Sequence, residues 1–155
     1  MGPGTKLPSL GHTTYAHLKD TFSLQAEGLV RGGADALLIE TAQDLLQAKA
    51  AINGAKAAME RLGTHVLIFA QVTVETTGTM LMGSEIGAAV TTLRVLGVDA
   101  IGLNCATGPA EMSEHLRHLS TYSPVPISVL PNAGLPELTK DAVNTKGIKE
   151  AIYKD

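Results

Sequence analysis

The sequence has very little of several features that mark specialised classes of protein. A single cysteine among 155 residues excludes an internal disulfide framework. No apolar run approaches the roughly eighteen residues of a membrane span, so we expect no membrane partner. Twelve Lys and Arg against 15 Asp and Glu provide no basic patch for nucleic acid. Because no charged and apolar leader precedes Gly2, we expect a cytoplasmic protein.

What the chain does contain is enough apolar material for one compact domain. Hydrophobic residues make up 45% of the sequence, which suits a domain of this length with its own core. No segment matches a P-loop, a dinucleotide-binding glycine fingerprint or a Gly-x-Ser-x-Gly elbow. These absences set aside three large classes of enzyme.

Helical and strand patterns alternate along the chain. The apolar spacing predicts helices over 14–31, 42–62, 84–96 and 109–120, and buried strands over 36–39, 66–74, 100–103 and 126–130. In the first helix the predicted apolar stripe is Tyr15, Leu18, Phe22, Ala26 and Leu29. For the third helix, Ser84 is the predicted N-cap. Continuous apolar strands that alternate with helices indicate a parallel sheet.

Four βα units allow two architectures. One is half of a (β/α)8 barrel, since a whole barrel needs about 250 residues, and its open edges would favour self-association into a homodimer. The other is a flavodoxin-like, doubly wound sheet with helices on both faces. The half barrel is the preferred prediction.

Four polar residues fall at or just after predicted strand ends, where parallel α/β proteins place their functional groups. Glu40 and Asn104 end equivalent strands in the related segments 33–40 and 97–104, Cys105 follows directly, and Asn132 follows the last strand. We predict Glu40, Asn104 and Asn132 as substrate-binding residues and Cys105 as a metal ligand. The plainer alternatives are a helix-capping glutamate, turn-forming asparagines and a small buried thiol.

Three segments carry a resemblance to a known family. They are Leu38-Ile39-Glu40-Thr41, then Asn104-Cys105-Ala106-Thr107-Gly108-Pro109, and finally Pro131-Asn132-Ala133-Gly134. In order and spacing they resemble the homocysteine-binding domain of cobalamin-dependent methionine synthase, over about residues 2–138. The resemblance implies a (β/α)8 barrel in which three cysteine thiolates hold zinc. That zinc activates the sulfur of homocysteine for attack on a methyl group carried by cobalamin.

By the same resemblance, Cys105 matches the first zinc ligand, Glu40 the residue that holds the amino group of homocysteine, and Asn132 an asparagine beside the metal. The family's other two zinc ligands form an adjacent cysteine pair, which this sequence does not contain. Cobalamin contacts would come from other domains. Residues 2–5 correspond to the end of the third barrel strand of the family.

After about Leu138 the sequence departs from the family pattern. We divide the chain into a partial barrel at 1–138 and a divergent terminal turn and helix at 139–155. The discontinuity favours a cut or hybrid chain, with a natural truncated relative as the alternative.

Three functional hypotheses follow. The first is a fragment of a zinc-dependent homocysteine S-methyltransferase, inactive because two of three zinc cysteines are missing. The second is a folded scaffold without catalysis, and the third is a module that binds a thiol amino acid weakly through Glu40 and Asn132.

Overall fold

A computed structural model describes residues 1–132, together with the backbone of 136–137 and 152–153. Its elements, in chain order, are a short 3-10 helix at Pro8–Leu10, α1 (Tyr15–Arg31), β1 (Ala36–Ala42), α2 (Leu45–Leu62), β2 (Leu67–Val72), α3 (Ile86–Val95), β3 (Ala100–Asn104), α4 (Pro109–Tyr122), β4 (Ile127–Leu130), β5 (Pro136–Glu137) and β6 (Ile152–Tyr153). The eight predicted helices and strands are therefore all present. None of the described helices is long and apolar enough to cross a membrane.

The main sheet is parallel, and its strands follow the order β1-β2-β3-β4. The connecting helices α2, α3 and α4 pack on the same face of the sheet, since their buried residues form one apolar cluster with it, as right-handed crossovers require. This arrangement confirms the predicted half barrel. The doubly wound alternative is wrong, because that fold needs the strand order to reverse at a switch point.

The two faces of the sheet have different roles, because successive side chains of a strand point in opposite directions. The residues that face the helices form the apolar core, and they include Leu37, Ile39, Ile68, Ala70, Val72, Ile101 and Leu103. The alternate positions form the inner face, on the side that would line a whole barrel. The inner face carries both polar and apolar side chains, and its polar members are Glu40, Gln71, Asn104 and Ser128.

Gly102 lies at the centre of the inner face. It pairs with Gln71 on β2 and with Ser128 on β4. The Gln71 side chain spans the intervening strand, and its Nε2 donates a hydrogen bond to Ser128 Oγ at 2.9 Å. A side chain on Gly102 would overlap the carbonyl group of Ser128. The absence of a side chain at this position therefore permits both the β3–β4 approach and the hydrogen bond across it.

Helices α1 and α2 pack closely against each other at Gly54. Arg61 on α2 donates hydrogen bonds to Ser23 Oγ at 2.9 Å and to Glu27 Oε2 at 3.0 Å, both on α1. The guanidinium groups of Arg61 and Arg31 beside Glu27 hold the pKa of that carboxyl below its ordinary value. These polar contacts surround an apolar interface formed mainly by Phe22, Ala26 and the alanines of α2.

The first residue lies along the outer edge of β1. The Met1 ammonium group donates to Leu38 O at 2.7 Å, and Glu40 N donates to Met1 O at 3.1 Å. Gln47 Nε2 on α2 holds the same segment through Pro3 O at 2.7 Å. Met1 therefore extends the hydrogen bonding of the sheet beyond β1, and the correspondence of residues 2–5 to the third barrel strand of the family stays a prediction.

Two local predictions require correction, and a third lies almost entirely outside the described residues. The N-cap of α3 is Glu85, and Ser84 instead accepts a hydrogen bond from Met80 N at 2.8 Å through its carbonyl oxygen. Leu29 is 42% exposed, because Val30, four residues after Ala26, packs against the core instead. The predicted terminal turn and helix at 139–155 lie outside the described residues, except that β6 is a strand paired with β5.

Candidate functional site

The candidate site lies at the carboxyl edge of the sheet, where the polar residues predicted from the sequence gather. Asn104 ends β3 and Cys105 follows it, while β1 ends with Glu40, Thr41 and Ala42. The register between β1 and β2 shifts between Ile39 and Ala42, so Glu40 and Thr41 depart from regular pairing. That irregularity turns the end of β1 toward β3, across the end of the intervening strand.

A compact hydrogen-bond network joins Thr41, Asn104 and Cys105. Thr41 N donates to Asn104 Oδ1 at 2.8 Å, and Asn104 Nδ2 donates to Thr41 Oγ1 at 2.7 Å. Asn104 Nδ2 also lies 3.3 Å from Cys105 Sγ, and Thr41 Oγ1 lies 3.7 Å from the same sulfur. Asn104 is buried, whereas Cys105 is partly exposed. The network is therefore buried at Asn104 and accessible to solvent at the Cys105 thiol.

The backbone of this network adopts an unusual conformation. Thr41, Cys105 and Ala106 have φ values of 58°, 56° and 59°, and they are the only residues other than glycine with positive φ in the described part of the chain. This left-handed region is unfavourable for residues with a side chain, and most of all for β-branched threonine. Such strain persists where surrounding contacts hold it, and it clusters at functional sites.

Asn132 and Glu40 lie on the same edge without entering the network. Asn132 N donates to Thr107 O at 3.3 Å, and Cys105 N donates to Leu130 O at 3.2 Å, so the loop after β4 is tied to the loop after β3. Glu40 is partly exposed on the inner face. Its carboxylate has no hydrogen-bond or ion-pair partner within residues 1–132. An acceptor group thus remains available at this edge.

The residues present do not fit a zinc site. Structural and catalytic zinc sites use at least three protein ligands, and this sequence offers one cysteine. No group of three or more His, Cys, Asp or Glu side chains in the described ranges is placed to hold a metal ion. Within residues 1–132, the side chains that hydrogen-bond to Cys105 Sγ are the amide of Asn104 and the hydroxyl of Thr41, neither of which is a usual zinc ligand.

Thr41 is the participant that sequence reasoning missed. It belongs to the quoted Leu38-Ile39-Glu40-Thr41 segment, but neither its residue type nor its position indicates a contact with a residue 64 positions away. The feature of the sequence that could have indicated Thr41 is its position directly after the strand-end glutamate Glu40. Its left-handed conformation and its partners are properties of the folded chain only.

Comparisons with known proteins show which family the chain matches. A family model described as homocysteine S-methyltransferase matches residues 1–153. The methionine synthase of Mycobacterium tuberculosis (strain ATCC 25618 / H37Rv) is 67% identical over 138 residues, which is 89% of this chain and 12% of that protein. The methionine synthase of Mycobacterium leprae (strain TN) is 64% identical over 138 residues, or 89% of this chain and 11% of that protein. The chain thus spans 11–12% of the length of these relatives.

Solved structures show a similar fold at low sequence identity. The apo crystal structure of the homocysteine methyltransferase MmuM from Escherichia coli superposes with a TM-score of 0.70 and 22% identity, covering 85% of this chain and 46% of that one. For the metallated form the TM-score is 0.61, with coverage of 75% and 40%. Both matches cover somewhat less than half of the neighbour, as expected for half of a barrel. Because the family model matches residues 1–153 of this chain, the chain belongs to the homocysteine S-methyltransferase family.

Proposed function

We propose that this chain forms part of a homocysteine-binding site and does not transfer a methyl group by itself. The observation that carries the proposal is the gathering of Glu40, Cys105 and Asn132 on one edge of the sheet, in a chain of this family. The open carboxylate of Glu40 would receive the ammonium group of the amino acid, since charge-assisted hydrogen bonds of this kind are strong. Asn132 would offer amide groups to the rest of the ligand.

Methyl transfer needs an activated thiol and a methyl donor. By the family resemblance, zinc activates the thiol of homocysteine, and cobalamin, held by other domains, carries the methyl group. A single thiolate does not make a zinc site, and we assign no residue of this chain to cobalamin. We therefore propose weak homocysteine binding without catalysis as the activity of this chain.

Removal of the Glu40 charge should weaken homocysteine binding. We expect L-homocysteine to bind the unaltered chain in the millimolar range and Glu40→Gln to bind it at least about tenfold more weakly, because a hydrogen bond between charged groups is lost. Isothermal titration calorimetry measures both. Glu60→Gln is the matched control, since Glu60 is an exposed carboxylate on α2 and should leave affinity unchanged.

The ligand can be varied in the same experiment. 4-Mercaptobutyrate is homocysteine without its amino group, so it should not distinguish the unaltered chain from Glu40→Gln. The absence of heat with millimolar homocysteine would reject the proposal, and the folded scaffold would then be the better description.

Self-association would not complete the metal site. We propose that two copies pair through β4, the last strand of the main sheet, where Ile127 and Leu130 are 38% and 53% exposed. A twofold dimer contributes two copies of Cys105 at most, which is fewer ligands than zinc requires.

We therefore expect the reduced and dialysed protein to retain less than about 0.1 zinc per chain. Elemental analysis measures the metal, and light scattering of the same sample tests for a mass of twice 16.1 kDa. Cys105→Ser serves as the control. Near-stoichiometric zinc that disappears in Cys105→Ser would contradict the expectation and would call for an assay of thiol methylation.

A further inference from the structure

The hydrogen-bonding capacity of Asn104 is almost fully used inside the protein. Its side chain amide has two N–H groups and one carbonyl oxygen. One donor faces Thr41 Oγ1 at 2.7 Å, the other lies 3.3 Å from Cys105 Sγ, and the oxygen accepts from Thr41 N at 2.8 Å. Asn104 is also only 3% exposed. No donor therefore remains for a bound amino acid.

Thr41 Oγ1 also lies within hydrogen-bonding distance of Cys105 Sγ. Because Thr41 Oγ1 already accepts from Asn104 Nδ2, its own proton is free to be donated elsewhere. Cys105 Sγ lies 3.7 Å from that oxygen, and either the hydroxyl or the thiol can donate the proton of this hydrogen bond. Two polar side chains, one from each of two strand ends, thus contact the sulfur.

The left-handed conformation of Thr41 is part of the same arrangement. At φ 58° its N–H group and its hydroxyl both reach Asn104. A β-branched residue adopts this region only where other contacts hold it there. The hydrogen bonds between Thr41 and Asn104 offset the cost of this conformation, and they also fix the end of β1 relative to the end of β3.

We propose that Thr41 and Asn104 are positioning residues for the Cys105 sulfur, and that Asn104 acts through this sulfur rather than by touching the substrate. The inference rests on the proposed function, in which Cys105 belongs to the homocysteine site. It gives Asn104 a different role from the direct substrate contact predicted from the sequence. Orientation of a reactive group by surrounding hydrogen bonds is a general requirement of such sites.

The test compares Thr41→Val, Thr41→Ala and Thr41→Ser by the rate at which iodoacetamide alkylates Cys105 at one fixed pH, followed by mass spectrometry. The contacts of Thr41 and Asn104 hold the sulfur in one orientation, and loss of the Thr41 contact would let it turn away from the reagent. We expect Val and Ala, which lack the hydroxyl, to slow alkylation about fivefold or more. Ser retains the hydroxyl and should stay within about twofold of the unaltered chain.

Circular dichroism establishes that each variant is folded before its rate is used, and Val and Ala provide two independent removals of the hydroxyl. Folded Val or Ala variants that react at the original rate would overturn the proposal, as would a Ser variant as slow as they are. Calorimetry with homocysteine is a separate measurement on the unaltered chain. A missing homocysteine signal with hydroxyl-dependent alkylation would reject the proposed function and leave the positioning role intact.

Discussion

Gly102→Ala is expected to prevent stable folding of the chain. The added methyl group would overlap the backbone carbonyl group of Ser128 on β4. Backbone atoms cannot rotate away as a side chain can, so relief requires separation of β3 from β4. We expect a loss of more than about 3 kcal/mol in the free energy of unfolding. Urea denaturation followed by circular dichroism measures it.

The control for Gly102→Ala is Gly28→Ala on α1. No atom outside the immediate backbone lies within 4 Å of a Cβ added at Gly28. Alanine has a higher helix propensity than glycine, so this variant should be more stable by about 0.5–1 kcal/mol. A Gly102→Ala variant that unfolds at the same urea concentration as the unaltered chain would show that β3 and β4 are not so close in solution.

Gly54→Ala is expected to reduce stability although it lies within a helix. An added Cβ would lie 2.5 Å from Lys19 O and 3.0 Å from Phe22 Cβ, both on α1. The helices would have to separate, which disturbs the packing of Phe22 and Ala26 in the core. We expect a net loss of about 2 kcal/mol, since overpacking outweighs the gain in helix propensity.

Thermal and urea unfolding of Gly54→Ala, with Gly28→Ala again as reference, separates the two effects. The same exchange is made in both helices, and only the space around the new methyl group differs. If both variants gained stability, the close approach of α1 and α2 would be disproved.

The sequence predicted the order and type of the elements because each element carries its own local signal. The apolar period indicated α1 within one residue of its observed start, and Pro109 indicated the start of α4. The local signal failed where a neighbouring segment decides the outcome. Ser84 has the residue type of an N-cap, yet its carbonyl closes a turn with Met80 and the helix begins later.

The candidate site was predictable in its location and only partly in its organisation. Strand-end positions placed Glu40, Asn104, Cys105 and Asn132 on one edge, and the structure has them there. The role of Thr41 depends on a register shift in β1 and on contacts between distant residues. No local pattern encodes such a shift. The individual roles of the four predicted residues stay predictions until the binding experiments are made.

The sequential strand order has a consequence for how the protein is made. Each main-sheet strand pairs with the strand that comes immediately before or after it in the chain, so no pairing waits for a distant segment to be synthesised. As the polypeptide leaves the ribosome, β2 can dock on β1, and β3 on β2, while later residues are still being added. The growing chain therefore exposes one unpaired leading edge at a time, and each new βα unit covers the edge left by the last.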